Sequence, residues 1–276
     1  MTGAPAGLRG LVQACHPGPS AAVTTVVAAL SAAAGRDAAG VALMAAATLT
    51  GQLSVGWCND ATDAERDRRA GRSEKPTVRG DVDARLLWRA AAGALAAAAA
   101  LSYLAAGPVG GTAHVVAVLS AWAYNLVLKT TVLSALPYAV SFGLVPAFVT
   151  YGLTPPAAPA AWLVAACALL GVGAHLANAI PDVESDTRVD AGGLVAALGV
   201  RRASVAALVC LVGALALLGT HLDLPAWAAA GVVTAAAAGG VVVVVRSEGV
   251  ALFRYVMLLA VGCVLLLLIA SRSLTT

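Results

Sequence analysis

Two short segments of this chain hold residues that could do chemistry together. Residues 59–69 carry Asn59, Asp63, Glu65, Asp67 and Arg69, and residues 178–188 repeat the same types at the same spacing as Asn178, Asp182, Glu184, Asp186 and Arg188. Of the 14 acidic residues in the chain, the two copies hold half once Asp60 is counted. Residues four apart share one face of a helix, so Asn59, Asp63 and Asp67 form one stripe with Asp60 beside it. Asn178, Asp182 and Asp186 form a second stripe. Glu65 and Glu184 point about 100° or more away and drop out as solvated residues. An oxygen-only set of Asp and Asn suits Mg²⁺, and no His belongs to either stripe, which argues against zinc. The expected metal ligands are Asn59, Asp60, Asp63, Asp67, Asp182 and Asp186, with Asp63, Asp67, Asp182 and Asp186 as the catalytic carboxylates. Two acidic clusters repel each other unless cations intervene, and two Mg²⁺ ions with a diphosphate between them resolve the repulsion. Arg68, Arg72, Lys75, Lys129 and Arg188 are the expected diphosphate contacts, Arg as a bidentate fork and Lys as a point charge.

The elements that must position these residues are transmembrane helices. The chain is 60% hydrophobic and 11% charged, with a mean hydropathy of +0.88, against about 25% charged in soluble proteins. About nine apolar segments approach the roughly 20 residues of a bilayer span, near 18–35, 38–58, 86–106, 109–128, 132–153, 159–180, 203–220, 225–245 and 250–270. With the N-terminus in the cytoplasm, nearly all Lys and Arg sort to the cytoplasmic side, as the positive-inside rule requires. Only Arg36 and Arg272 face the other way, and Arg254 falls inside the ninth segment. The expected fold is all-α: about nine helices around a central lipid-accessible cavity, in a single membrane domain over 1–276. Residues 1–17 form a short interfacial segment with a helix near Leu8–Val12. The acidic loops cover about 59–85 and 182–202, and Pro181 should kink the helix end beside the second. The two copies end equivalent helices four spans apart, which predicts a four-helix repeat with its site between the halves. No cleavable signal peptide is expected. The five Cys lack metal-ligand spacing and carry no chemistry. The dominance of Arg over Lys points to a G+C-rich genome and, with the topology, to a bacterial plasma membrane.

The motifs resemble those of the UbiA-type intramembrane prenyltransferase superfamily. Asn59-Asp60 with Asp63 and Asp67, and Asp182 with Asp186, resemble its two signature motifs. Arg72-Ser73-Glu74-Lys75-Pro76 resembles its R-T-x-R-P stretch, with Lys in place of Arg. Tyr124 and Lys129 resemble residues after its fourth span, and Leu198-Gly199 with Arg201-Arg202 resembles the segment after its second motif. The resemblance implies Mg²⁺-dependent prenyl transfer from a polyprenyl diphosphate to an acceptor. It implies one ion on Asn59, Asp63 and Asp67, supported by Asp60, another on Asp182 and Asp186, and diphosphate on Arg72 and Lys129. Two departures stand out. His16-Pro17 replaces the family's Arg-Pro, which weakens or removes a diphosphate contact and reads as a surface-loop His. Asp190-Ala191-Gly192-Gly193 replaces its Gly-x-x-Thr.

The acceptor should be aromatic or a quinone precursor, held beside membrane lipid. Tyr124, Tyr138, His175 and Asn178 are its candidate contacts, with Ser141 and Tyr151 as further polar tips. Trp57, Trp122 and Trp162 read as packing or interfacial residues. Nucleic acid is not an expected partner. A terpene cyclase or a polyprenyl-phosphate-using transferase of the same fold is the alternative, and a cation-coupled transporter is the alternative from another class. CDP-alcohol phosphotransferase chemistry is disfavoured, because its Asp-Gly and Ala-Arg pattern is missing.

Overall fold

A computed structural model of the chain describes residues 6–180, 192–221, 225–246 and 250–270. Pro181, the second acidic copy from Asp182 to Arg188, and Asp190-Ala191 lie outside the described residues. Among those described there are helices and no strands. Helix α1 spans Ala6–Ala14, α2 Pro17–Ala33, α3 Ala38–Arg69, α4 Pro76–Arg79 and α5 Ala84–Ala123. They are followed by α6 Leu136–Gly143, α7 Val145–Tyr151, α8 Ala161–Ala179, α9 Leu194–Leu198, α10 Val200–Gly219, α11 Ala226–Arg246 and α12 Val250–Ala270.

Five of the described helices are long and apolar enough to cross a bilayer, and three shorter apolar helices accompany them. The segments expected at 86–106 and 109–128 are both present as the two halves of α5, which are separate helices joined at a kink: the backbone is non-helical at Ala106 (φ −135°) and Gly107 (φ 62°), just ahead of Pro108. Gly107 takes the left-handed conformation that glycine adopts freely, and Arg36 Nη2 donates to the freed Ala105 carbonyl at 2.6 Å. The segment expected at 132–153 is two short helices. Pro146, in the first turn of α7, has no N–H to continue the ladder from α6.

Helix α3 differs most from expectation. The apolar segment was expected to end at 58 and a loop to start at 59, yet the helix runs on to Arg69. Asp37 caps its start by accepting from the Gly40 amide at 2.9 Å. Ion pairs at i+3 and i+4 (Asp63–Arg66, Glu65–Arg68, Glu65–Arg69) hold its last turns, as such spacings do on helices. Gly71, at φ 67°, ends it in the left-handed conformation that stops many helices.

Small residues let the helices close on one another. Ser54 of α3 donates to the Ala91 carbonyl in the first half of α5 at 3.0 Å, and Trp122 of the second half donates to Ser54 at 2.9 Å. A Cβ on Gly171 of α8 would stand 2.6 Å from the Tyr138 carbonyl of α6. The core gathers Val27, Met44, Phe148, Leu163, Leu176, Leu211 and Val256. Val241, Val242 and Val245 of α11 and Leu258, Val261 and Leu265 of α12 face outward. An apolar exterior over an apolar core suits a lipid surrounding.

Candidate metal and diphosphate site

Because α3 continues through the motif, the stripe read from spacing is a real helical face. Asp60, Asp63 and Asp67 are all buried on it, Asp67 completely. The second half of α5 packs beside it and continues into a π-turn over Tyr124–Leu128. Such turns recur at functional sites. Here the turn carries Asn125 and Lys129 to α3. Asn59 donates to Asn125 Oδ1 at 3.1 Å, and Asn125 donates to the Val55 carbonyl at 3.0 Å. Asn59 thereby gives one amide hydrogen to Asn125, a bond that does not involve its Oδ1. Lys129 Nζ donates to Asp63 Oδ2, and Arg66 Nη2 forms an ion pair with the same oxygen at 3.0 Å. Burial draws the Lys129 ammonium below its ordinary range, and the Asp63 charge opposes that.

Arg72 Nη1 donates to Asp67 Oδ1 at 3.2 Å, while Asp67 Oδ2 is buried with no partner. A buried carboxylate oxygen without a donor is costly and fits a place where a cation binds. Asn59 Oδ1, an oxygen of Asp63 and Asp67 Oδ2 therefore form a donor set of the kind Mg²⁺ takes, with waters and a phosphate completing six-fold coordination. Among the described residues, no three or more His, Cys, Asp or Glu converge into a ready ion cage. The first motif alone supplies only part of a shell, with its carboxylates held on separate cations.

The expected diphosphate contacts divide. Arg72 and Lys129 sit on the carboxylates. Lys75 Nζ donates to Asp60 Oδ1 at 2.8 Å, on the flank of the stripe. Arg68 is not brought to the site: it is exposed and pairs with the exposed Glu65, the Glu whose outward direction the helical spacing indicates. Exposed ion pairs contribute little, so Arg68→Ala is expected to leave turnover of a prenyl diphosphate within about twofold of wild type. A steady-state diphosphate-release assay checks this. Arg188 lies outside the described residues.

A small cavity, about 60 Å³, opens beside this cluster and is lined in part by Arg66, Tyr124, Lys129, Thr130, Ser134 and His175, with residues 192–196 closing it. Two of the four expected acceptor contacts, Tyr124 and His175, line it, and a third, Tyr138, packs against both. Tyr138 stands edge-on to Tyr124 with centroids 5.1 Å apart, and His175 lies 4.6 Å from Tyr138 and 5.6 Å from Tyr124. Ser134 bonds His175 Nε2 at 3.0 Å. Asn178, the fourth, is exposed. Ser141 is committed to the Ala117 carbonyl at 2.8 Å. Trp57 and Trp122 donate to the Leu11 carbonyl and Ser54, and Trp162 stacks on His221, so all three pack as expected. All five Cys are free.

Four participants were missed in the sequence. Arg66 pairs with Asp63 and keeps its Nε buried without a partner; its i+3 spacing from Asp63 could have marked it. Asn125, Thr130 and Ser134 carry no spacing signal, since only the π-turn and the helix packing bring them in. His16 is no free loop residue: its Nε2 reaches Asp60 Oδ1 at 2.9 Å.

Comparison with known proteins places this geometry. Residues 21–262 match the model of the UbiA prenyltransferase family. The fold is shared with a UbiA homolog from Archaeoglobus fulgidus solved with DMAPP and Mg²⁺. That protein is 14% identical, with a TM-score of 0.66 over 96% of this chain and 99% of its own. A structure of digeranylgeranylglyceryl phosphate synthase aligns at a TM-score of 0.71 and 14% identity, over 97% of this chain and 99% of the other. A UbiA homolog from Aeropyrum pernix K1 in its apo form aligns at 0.61 and 20% identity, over 90% and 94%. No curated protein sequence matches the chain.

Proposed function

Because this chain belongs to the UbiA prenyltransferase family, we propose that it transfers a prenyl group from a polyprenyl diphosphate to an aromatic or other small lipophilic acceptor. The observation that carries the reading is the face of half-buried Asn59 and buried Asp63 and Asp67, with an unpartnered Asp67 oxygen, set against Lys129, Arg66 and Arg72. Relatives with this fold were solved with DMAPP or GPP and Mg²⁺, which supports the same donor class and metal here.

Bound Mg²⁺ would supply charge neutralisation to a departing diphosphate. Asn59, Asp63 and Asp67 would hold one ion, and Asp182 and Asp186 a second. Lys129, Arg72 and Arg66 each lie on a motif carboxylate and can turn to diphosphate oxygens as charge develops there. Donors pre-aimed at a developing charge are among the largest contributions to catalysis. The allylic C–O bond breaks toward that end. Tyr124 and His175, backed by Tyr138, wall the cavity where the allylic group and acceptor would meet, and the apolar helices keep water from the cation. Lys75 contributes positive charge at the flank.

The nine-span count, the cytoplasmic N-terminus and a bacterial plasma membrane belong to this proposal, supported by the one-sided Lys and Arg distribution. Mass spectrometry of products from geranyl diphosphate and Mg²⁺, with and without an aromatic acid, tests the reaction. A prenylated acid is expected. A cyclic hydrocarbon formed without any acceptor would favour the cyclase alternative.

A further inference from the structure

Asp60 stands beside the metal stripe, with one carboxylate oxygen already on two donors. It is 1% exposed, and its Oδ1 accepts from His16 Nε2 at 2.9 Å and from Lys75 Nζ at 2.8 Å. Both donors come from other elements, His16 from between α1 and α2 and Lys75 from between α3 and α4, whereas Arg66, one of the two cations on Asp63, belongs to α3 itself. Asp67, seven residues further along α3, instead keeps an oxygen without a donor. The two acids differ in what holds them, so they differ in what they can hold.

His16 is itself held in place. It is the one described non-glycine residue with positive φ (52°, ψ 67°), a conformation that persists only where the surroundings enforce it. Those surroundings are contacts of the N-terminal segment with α3 and α4. The Cys15 carbonyl packs so closely on Gly56 of α3 that a Cβ there would stand 2.7 Å away. Ser20 donates to the same carbonyl at 2.8 Å. Trp57 of α3 donates to the Leu11 carbonyl at 2.8 Å, and Arg79 of α4 bonds Gln13. On the other side, Lys75 lies three residues after Arg72, which bonds Asp67.

We propose that His16 is a positioning residue: with Lys75 it takes Asp60 out of the metal shell and uses it to strap α1 and the 72–76 turn onto the motif helix. The first ion site is then Asn59, Asp63 and Asp67, and the strap sets Arg72 against Asp67. Gln places an amide donor near the imidazole Nε2 position, so His16→Gln should keep the strap and His16→Ala should lose it.

The test uses the full-length protein in nanodiscs. Trypsin cleavage after the exposed Arg9 should accelerate at least about tenfold in His16→Ala and in Asp60→Asn. It should stay near wild type in His16→Gln, and the double variant His16→Ala/Asp60→Asn should cleave no faster than either single one. Mn²⁺ binding with inorganic diphosphate, read by electron paramagnetic resonance, should stay within about threefold in Asp60→Asn and fall far more in Asp67→Asn. The proposal is overturned by additive cleavage rates, by unchanged protection in His16→Ala, or by Mn²⁺ loss in Asp60→Asn equal to that in Asp67→Asn. Neither readout uses a prenyl donor, so a failure of the prenyltransferase reading leaves this test standing.

Discussion

Asp67→Asn is expected to lower prenyl-diphosphate turnover by about 10²–10³-fold, the loss typical of removing one stabiliser of transition-state charge. Asp67 has no exposure, one oxygen on Arg72 and the other on nothing. Asn keeps the volume and removes the charge, so packing on α3 survives while the ion loses an anionic ligand. Diphosphate release at saturating Mg²⁺ measures the effect, and a thermal melt confirms that the variant folds. A variant that folds and turns over normally would remove Asp67 from the reaction.

Lys129→Met is the second large effect. Met keeps most of the stem and deletes the ammonium that the π-turn carries to Asp63. Turnover should fall about 10²-fold, with a raised KM for the donor because ground-state phosphate contact is lost as well. Stability should also fall. A buried pair that loses one partner costs about 3–5 kcal/mol, and here the cost should be lower, on the order of 1–3 kcal/mol, because Arg66 still reaches Asp63. Thermal melts without substrate isolate the stability part, and kcat at saturating donor isolates the chemical part. A normal kcat with a lowered melting temperature would make Lys129 a structural cation only.

Much of the site was legible because helical periodicity is a strong rule. The i, i+4, i+8 spacing of Asn59, Asp63 and Asp67 fixed their common face, and the same rule turned Glu65 outward. The gathering of Tyr124, Tyr138 and His175 followed less directly, from their polar tips within apolar segments. What escaped depended on contacts between elements. Nothing in the order of residues says that a π-turn follows Ala123, so Asn125 could not be matched to Asn59. His16 read as a loop residue because its partner is 44 residues away and its left-handed backbone is imposed by Gly56 and Trp57. The end of α3 was misplaced for a simpler reason. Hydropathy marks where a helix leaves lipid, whereas capping and ion pairs decide where it stops, and here the two differ by eleven residues, Cys58 against Arg69. Arg68 was drawn in by sequence proximity, but its i+3 spacing pairs it with Glu65.

The central claim is that a divalent cation on the buried Asp face drives ionisation of an allylic diphosphate. Diphosphate release from geranyl diphosphate by the purified protein in nanodiscs, measured across a Mg²⁺ titration, tests it most directly. Release should rise saturably with Mg²⁺, vanish with EDTA, return when Mg²⁺ is restored, and be lost in Asp63→Asn. Release that persists in EDTA, or that survives Asp63→Asn at full rate, would contradict it.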